Sequence, residues 1–292
     1  MQLGPSLTLQ NPVCLAAAPW QLPDGLGYEH LGAIFTKTVI MEPRPGSRGE
    51  GIIKVADASL LNTTDRRTDG AEQLVQEHLP QLRRHHVPVL VSITAPGIPG
   101  FRKIARYLAR EAAGQIAGVE VYISSASTEK GFELTPRFVR EAVEAVRNEL
   151  GPDLALIVKL PPWPDHVRAL GLAAQQGGAT ALAASNTLKA LHLPEAGDPI
   201  LGGLSGEALR PIALRCVYEL AHDEQIKLPV IGTGGIFTAQ HVRDYLRCGA
   251  AAVQVATGEW LEPGLSGRLA TEWSETASEP ETADNSAATW NS

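Results

Sequence analysis

The stretch Pro229–Gly258, PVIGTGGIFTAQHVRDYLRCGAAAVQVATG, carries the reading of the fold. An apolar run, Pro229–Thr233, ends in the glycine-rich GTGGI of Gly232–Ile236. Helix-spaced apolar residues follow over Ala239–Cys248, and a second apolar run, Ala251–Ala256, closes on Gly258. Neither run alternates apolar with polar residues, which is the pattern of a strand covered on both faces, so the unit reads as two buried parallel strands joined by a helix. Working outward, the same alternation covers the chain. Apolar runs at Val13–Ala18, Ala33–Thr36, Val87–Thr94, Val119–Ser124, Ala155–Leu160 and Thr180–Ser185 precede it. Helical periodicity fills Glu72–Arg84, Lys103–Ala113, Arg137–Glu149, His166–Gln176 and Glu207–Asp223. Eight such strands with intervening helices predict a TIM (β/α)8 barrel. A doubly wound open sheet gives the same alternation, but no GxGxxG follows an early strand. The glycine-rich strand ends come late, where barrels bind phosphate after strands seven and eight.

Two segments fall outside that pattern. Val39–Gly70 is too long for a strand-to-helix loop and predicts a small insertion after strand 2, a hairpin over the mouth of the barrel. From Ser274 the chain is rich in Ser, Thr, Ala, Glu and Asp with no Lys or Arg, which predicts a disordered acidic tail over 274–292 behind a single barrel domain over 1–273. The net charge of -7 and the lack of any Lys/Arg block argue against a nucleic-acid binder. Cys14, Cys216 and Cys248 are too far apart for a CxxC set, so the chain supplies no ligands for an iron–sulfur cluster or a zinc finger. With no basic leader and no apolar run of membrane-spanning length, a soluble cytoplasmic protein is expected.

TIM-barrel chemistry is assembled at the C-terminal ends of the strands, which selects the candidate residues. Lys37 follows strand two in IFTKTV, either as the solvated end of a strand or as a cation aimed into the mouth. Lys159 lies within the apolar IVKL, where an ammonium needs a partner or an anionic ligand. Asn62 in SLLNTT and Asn186 with Thr187 in AASNTL offer amide donors and acceptors suited to a planar amide-bearing ring such as a pyrimidine. GGLSG (Gly202–Gly206) and GTGGI, each followed by a helix, combine with Thr257 and Gly258 as a phosphate-binding set. Strand four ends in Ser124, Ser125, Ser127 and Thr128, hydroxyls that could contact a ligand, although a serine needs help to act as a base. The histidines fall on predicted helices or in the His85–His86 turn and read as solvated.

These strings are recognisable. LTLQNPVCLAAAP, LGAIFTKTVIMEPRPG, SLLN, LIVKL, SNTL, GGLSGEALRPIAL and the opening stretch together resemble the dihydroorotate dehydrogenase family, nearest its soluble class 1 members, over about Leu7 to Gly258. The resemblance implies an FMN-bearing TIM barrel that oxidises the C5–C6 bond of dihydroorotate in pyrimidine biosynthesis. It places Ala17 and Ala18 where the first strand approaches the flavin, and Lys37 and Thr38 in a segment near flavin and substrate. Asn62, Asn186 and Thr187 match the pyrimidine-binding set, and Lys159 matches the lysine beside the flavin ring. Gly203, Ser205, Gly206, Gly234, Gly235, Thr257 and Gly258 match positions around the FMN phosphate and ribityl chain. Ser125 takes the place of the catalytic base, which is cysteine in class 1 and serine in the membrane-associated class.

One run departs from the family. Where the family reads Asn, any residue, Ser, Cys or Ser, Pro, Asn, this chain reads Tyr122, Ile123, Ser124, Ser125, Ala126, Ser127, and only Ser127 remains beside the base as a substrate contact. Asp65, Arg66 and Arg67 also replace mostly uncharged residues after Asn62. An FMN-dependent paralogue acting on another dihydropyrimidine or small conjugated carbonyl, a non-catalytic flavin-binding subunit and a flavin-free phosphate-binding barrel therefore stand as alternatives. Likeness to class 1 implies a homodimer. The electron acceptor stays open among quinone, fumarate, oxygen and NAD, the last through an iron–sulfur and flavin partner subunit, because the chain has no dinucleotide fingerprint of its own.

Overall fold

The computed structural model describes residues 1–46, 51–63, 68–123 and 134–278. Eight strands, numbered here β1 to β8, close a barrel. They are β1 (Val13–Ala18), β2 (Ile34–Thr36), β3 (Val89–Ile93), β4 (Gly118–Tyr122), β5 (Ala155–Leu160), β6 (Ala181–Ala184), β7 (Val230–Thr233) and β8 (Ala252–Val255). Each is parallel to both neighbours, and the spatial order follows the chain. The predicted TIM barrel is the observed fold. An apolar layer between strands and outer helices, including Val13, Leu15, Val119, Val121, Leu156 and Val158, forms the main core.

Side chains of alternating parity point into the barrel, and their character changes along its axis. At the N-terminal end the lumen is filled by Cys14, Phe35, Leu90, Ile157 and Ile231, closed from below by Leu3, Leu7 and Leu9. Leu3 and Leu7 belong to the hairpin Gln2–Gly4 and Leu7–Thr8, which Leu9 directly follows and which the apolar-run pattern does not disclose. At the C-terminal end the inward positions are Ser92, Glu120, Lys159, Thr233 and Gln254, all buried. The barrel is thus an apolar plug capped by one polar layer.

The insertion after β2 is a hairpin, Ile52–Ala56 and Ser59–Thr63, but it does not stand alone. A second hairpin after β6, Leu188–His192 and Ile200–Gly206, pairs with it antiparallel, giving a four-stranded sheet. GGLSG therefore lies on a strand, which its glycine content does not disclose.

Helix boundaries differ from expectation where proline intervenes. The helices Ile98–Glu111 and Pro164–Gln176 begin earlier than their apolar periodicity, each with proline in its first turn, where the missing N–H costs nothing. The segment expected as one helix over Glu72–Arg84 is broken into Ala71–Gln73, a π-helical turn Leu74–His78, Leu79–Leu82 and a 3-10 turn Arg83–His85. Pro80 cannot donate to the preceding turn and its ring crowds the carbonyl there, and the widened turn lies just before it. The last helix, Leu265–Ser278, runs past Ser274, where the acidic tail was expected to begin, because Ser, Glu, Thr and Ala are all tolerated in a final turn. The remainder of the expected tail lies outside the described residues.

Candidate active site

The polar cap of the barrel is a single hydrogen-bonded network. The Glu120 carboxylate accepts from Ser92 Oγ at 2.9 Å and from Gln254 Nε2 at 2.9 Å, and lies 3.5 Å from Lys159 Nζ. Thr233 Oγ1 donates to Gln254 Oε1 at 2.8 Å, and Thr38 Oγ1 lies 2.9 Å from Ser92 Oγ. Of the two readings open for Lys159, the structural ion pair is present, and it stands at the mouth where a ligand would meet it. Glu120, Ser92 and Gln254 are missing from the sequence-derived set, because each reads as an ordinary polar position of a strand until the barrel closes and turns that face inward. The parity of each strand is the signal that exposes them.

Around this cap the strand ends gather the other candidates. At the end of β1, Ala17 has φ +51 and is exposed while Ala16 and Ala18 are buried, beside an irregularity in the pairing of β1 with β2. A positive φ at alanine is costly and turns the backbone outward at the rim. Lys37 and Thr38, both half-buried, leave β2 on the adjacent side. After β6, Asn186 N–H donates to the carbonyl of Leu160, and its own Oδ1 accepts from Thr187 N at 2.7 Å. The Thr187 side chain lies so close over Gly203 that a Cβ there would stand 2.2 Å from its Oγ1. Gly203 in turn pairs with Asn62, whose Nδ2 is 3.4 Å from Ser205 Oγ. The four-stranded sheet therefore brings Asn62, Thr187, Gly203 and Ser205 together from distant parts of the chain.

The three glycine clusters meet as well. Gly206, at φ +89, would place a Cβ 2.1 Å from the carbonyl of Ala58. Gly235, at φ +65, would place one 2.7 Å from Arg210 Cβ and 2.9 Å from the carbonyl of Gly206. A Cβ at Gly258 would approach the carbonyl of Ile236 to 2.5 Å. Backbone from after β6, β7 and β8 is thus packed so closely at these three glycines that none has room for a side chain, and this backbone cluster is the candidate phosphate cradle. Its supports were not foreseen. Tyr245 O–H donates to the carbonyl of Gly234 at 2.6 Å. The buried Glu259 carboxylate accepts from Tyr28 O–H at 2.6 Å, from the N–H groups of Gly264 and Ser266, and from Ser266 Oγ, pinning the turn that Thr257 and Gly258 begin. Tyr28→Phe removes a hydrogen bond to a buried carboxylate and is expected to lower the unfolding free energy by about 1.5–3 kcal/mol, read from urea denaturation; an unchanged midpoint would refute this support.

The histidines are not uniformly solvated. His85 is buried edge-on to Tyr28, and His78 stacks on Trp20, ring centroids 4.2 Å apart, while Trp20 Nε1 donates to Asp69 at 2.6 Å. Burial holds the His78 imidazole below its ordinary value, with the Lys37 ammonium adding to the effect against Asp69 and Glu77. Burial and the Arg210 guanidinium hold His241 down in the same way. The unfolded chain takes up protons at these two sites near pH ~6.5 while the folded protein does so only at lower pH, so stability is expected to fall as pH drops below that value. Melting curves from pH 7.5 to 5.5 should show it, with a shallower decline in the His78→Gln/His241→Gln variant; an equal slope in both proteins would remove these histidines from the explanation.

Burial also raises the thiols of Cys14 and Cys216 to about 12, so neither is a thiolate at neutral pH. Among the described residues no cluster of His, Cys, Asp or Glu could hold a metal, and no helix is long and apolar enough to cross a membrane. Ser125 and Ser127, with Asp65, Arg66 and Arg67, lie outside the described residues.

Comparisons with known proteins bear on the chain as a whole. The family model for dihydroorotate dehydrogenase matches residues 5–272. The chain is 34% identical over 280 residues to a protein of Maridesulfovibrio salexigens named dihydroorotate dehydrogenase B (NAD(+)), catalytic subunit, covering 91% of this chain and 89% of the other. It is 35% identical to the like-named protein of Desulforudis audaxviator, covering 90% and 88%. Among solved structures, dihydroorotate dehydrogenase from Eimeria tenella, in complex with ferulenol, superposes with a TM-score of 0.73 at 20% identity, over 93% of this chain and 82% of that one. That last likeness bears on the fold.

Proposed function

The chain belongs to the dihydroorotate dehydrogenase family, and from that premise we propose that it is an FMN-dependent oxidoreductase converting dihydroorotate to orotate at the C5–C6 bond, in pyrimidine biosynthesis. The observation that carries the reading is that the closely packed Gly206, Gly235 and Gly258 and the buried Lys159 all lie at the C-terminal end of one barrel. The residues fit the cofactor: glycines without side chains let peptide N–H groups approach a phosphate, and an ammonium favours a ring that becomes anionic on reduction. When bound, the flavin supplies the hydride acceptor. Gly203, Ser205, Gly206, Gly234, Gly235, Thr257 and Gly258 hold its phosphate and ribityl chain, and Ala17, Ala18, Thr38 and Lys159 border its ring. Lys37, Asn62, Ser127, Asn186 and Thr187 orient the pyrimidine, and Ser125 takes the C5 proton.

The chain's own cysteines cannot ligate a cluster, and its relatives named above are catalytic subunits of NAD-linked enzymes. A cytoplasmic homodimer that passes electrons to an iron–sulfur and flavin subunit fits both facts. The altered run Tyr122–Ser127 favours one second reading, the same flavin chemistry on another dihydropyrimidine. Heat release and chromatography of the bound cofactor should return one FMN per chain, and the holoprotein should reduce an electron-accepting dye with dihydroorotate. Release of FAD, or dye reduction only with a different dihydropyrimidine, would contradict the first reading.

A further inference from the structure

We propose that Glu120 is a positioning residue for the flavin site: as the buried counter-charge of Lys159 it sets how much of that ammonium's positive charge reaches the bound ring. The inference rests on the flavin reading above and adds to it a group that never touches flavin or substrate.

The geometry distinguishes this role from an ordinary structural ion pair. Glu120 and Lys159 are 2% and 8% exposed, so water screens neither charge well. Two neutral donors, Ser92 and Gln254, each 2.9 Å away, fix the carboxylate independently of the lysine. Lys159 stands 3.5 Å from each carboxylate oxygen, longer than the usual contact between such groups. Among the described residues Glu120 is the group that pairs with it. The carboxylate is therefore locked in place and the ammonium only leans on it, which leaves N–H donors of Lys159 free to meet a ligand at the mouth.

The same carboxylate orders the hydroxyls around it. A carboxylate only accepts, so the Ser92 proton points to Glu120. Thr38, 2.9 Å from Ser92 Oγ, must then give its own proton to Ser92 and can offer a ligand only lone pairs. Thr233 is directed likewise, its proton on Gln254 Oε1. One buried anion thereby fixes the charge at the end of β5 and the hydrogen-bond polarity at the end of β2.

Anaerobic redox titration of the bound flavin in the holoprotein tests this, because the two partners must shift the midpoint potential in opposite directions. Lys159→Met removes the charge that favours the anionic reduced ring and is expected to lower the midpoint. Glu120→Gln keeps the shape, frees the ammonium from its counter-charge and is expected to raise it. A merely structural Glu120 would leave the midpoint unchanged, or lower it as Lys159 drifts from the site; either result overturns the inference. Should Glu120→Gln fail to fold, Ser92→Ala takes its place. Loss of one neutral donor strengthens the carboxylate's hold on Lys159, and the midpoint should fall part of the way toward that of Lys159→Met; no shift overturns the inference. Wild-type protein that takes up no flavin refutes the flavin reading itself and this role with it, whereas flavin-replete wild type with an unshifted Glu120→Gln refutes this role alone.

Discussion

Ser125→Ala is expected to slow the reduction of bound flavin by dihydroorotate about a hundredfold to ten-thousandfold, the usual contribution of a positioned general base, while flavin content and thermal stability stay those of the wild type. The expectation comes from place and chemistry together. Ser125 follows β4 in the sequence, the strand that carries Glu120, and is the residue proposed above as the base. Its hydroxyl is a weak base unless its environment stabilises the alkoxide, and the barrel brings two cations, Lys37 and Lys159, to the same end. Cysteine at that position would titrate nearer neutrality, so Ser125→Cys should shift the pH optimum of the reductive step downward. Anaerobic stopped-flow absorbance with dihydroorotate measures both variants. Reduction of the Ser125→Ala flavin at the wild-type rate would take proton abstraction away from this residue.

Gly235→Val is expected to yield a folded but nearly colourless protein. Valine at φ +65 is disfavoured by about 1–2 kcal/mol on backbone grounds alone, and its Cβ falls 2.7 Å from Arg210 Cβ and 2.9 Å from the Gly206 carbonyl. Relief requires the segments after β6 and β7 to move apart, which dismantles the proposed phosphate cradle. Each charge-assisted hydrogen bond lost to the phosphate is worth about 1.5–3 kcal/mol, so even one removes about tenfold to a hundredfold in flavin affinity. The barrel below is held by its own apolar core and should retain its far-ultraviolet circular dichroism. Stoichiometric FMN in the purified variant would show that the phosphate is bound elsewhere.

What could be read from the sequence divides along a physical line. Residues that must be apolar in runs announce themselves: β1 and β5 occupy the residues expected of them, Val13–Ala18 and Ala155–Leu160. Glycines at strand ends do so too, and Gly206, Gly235 and Gly258 each pack tightly against backbone from elsewhere in the chain. Lys159 stood out because a lysine inside IVKL is an anomaly. Its partner did not, since Glu120 in GVEVY reads as an alternating polar position until the barrel closes and turns that face inward. The second hairpin was hidden for a related reason. In Leu188–His192 the burial alternates only between half-buried and exposed, and its mate carries glycines in place of strand-forming side chains, with Thr187 packed over Gly203. His78 and Trp20 were invisible because their stack depends on a π-helical turn that no local periodicity encodes.

The most direct measurement is an anaerobic absorbance spectrum of the purified protein before and after addition of dihydroorotate. The expected result is an oxidised flavin band that bleaches on addition of substrate, which requires cradle, ammonium and proton acceptor to act in one site. A flavin band that persists unchanged would contradict dihydroorotate oxidation while leaving the flavin-binding barrel intact.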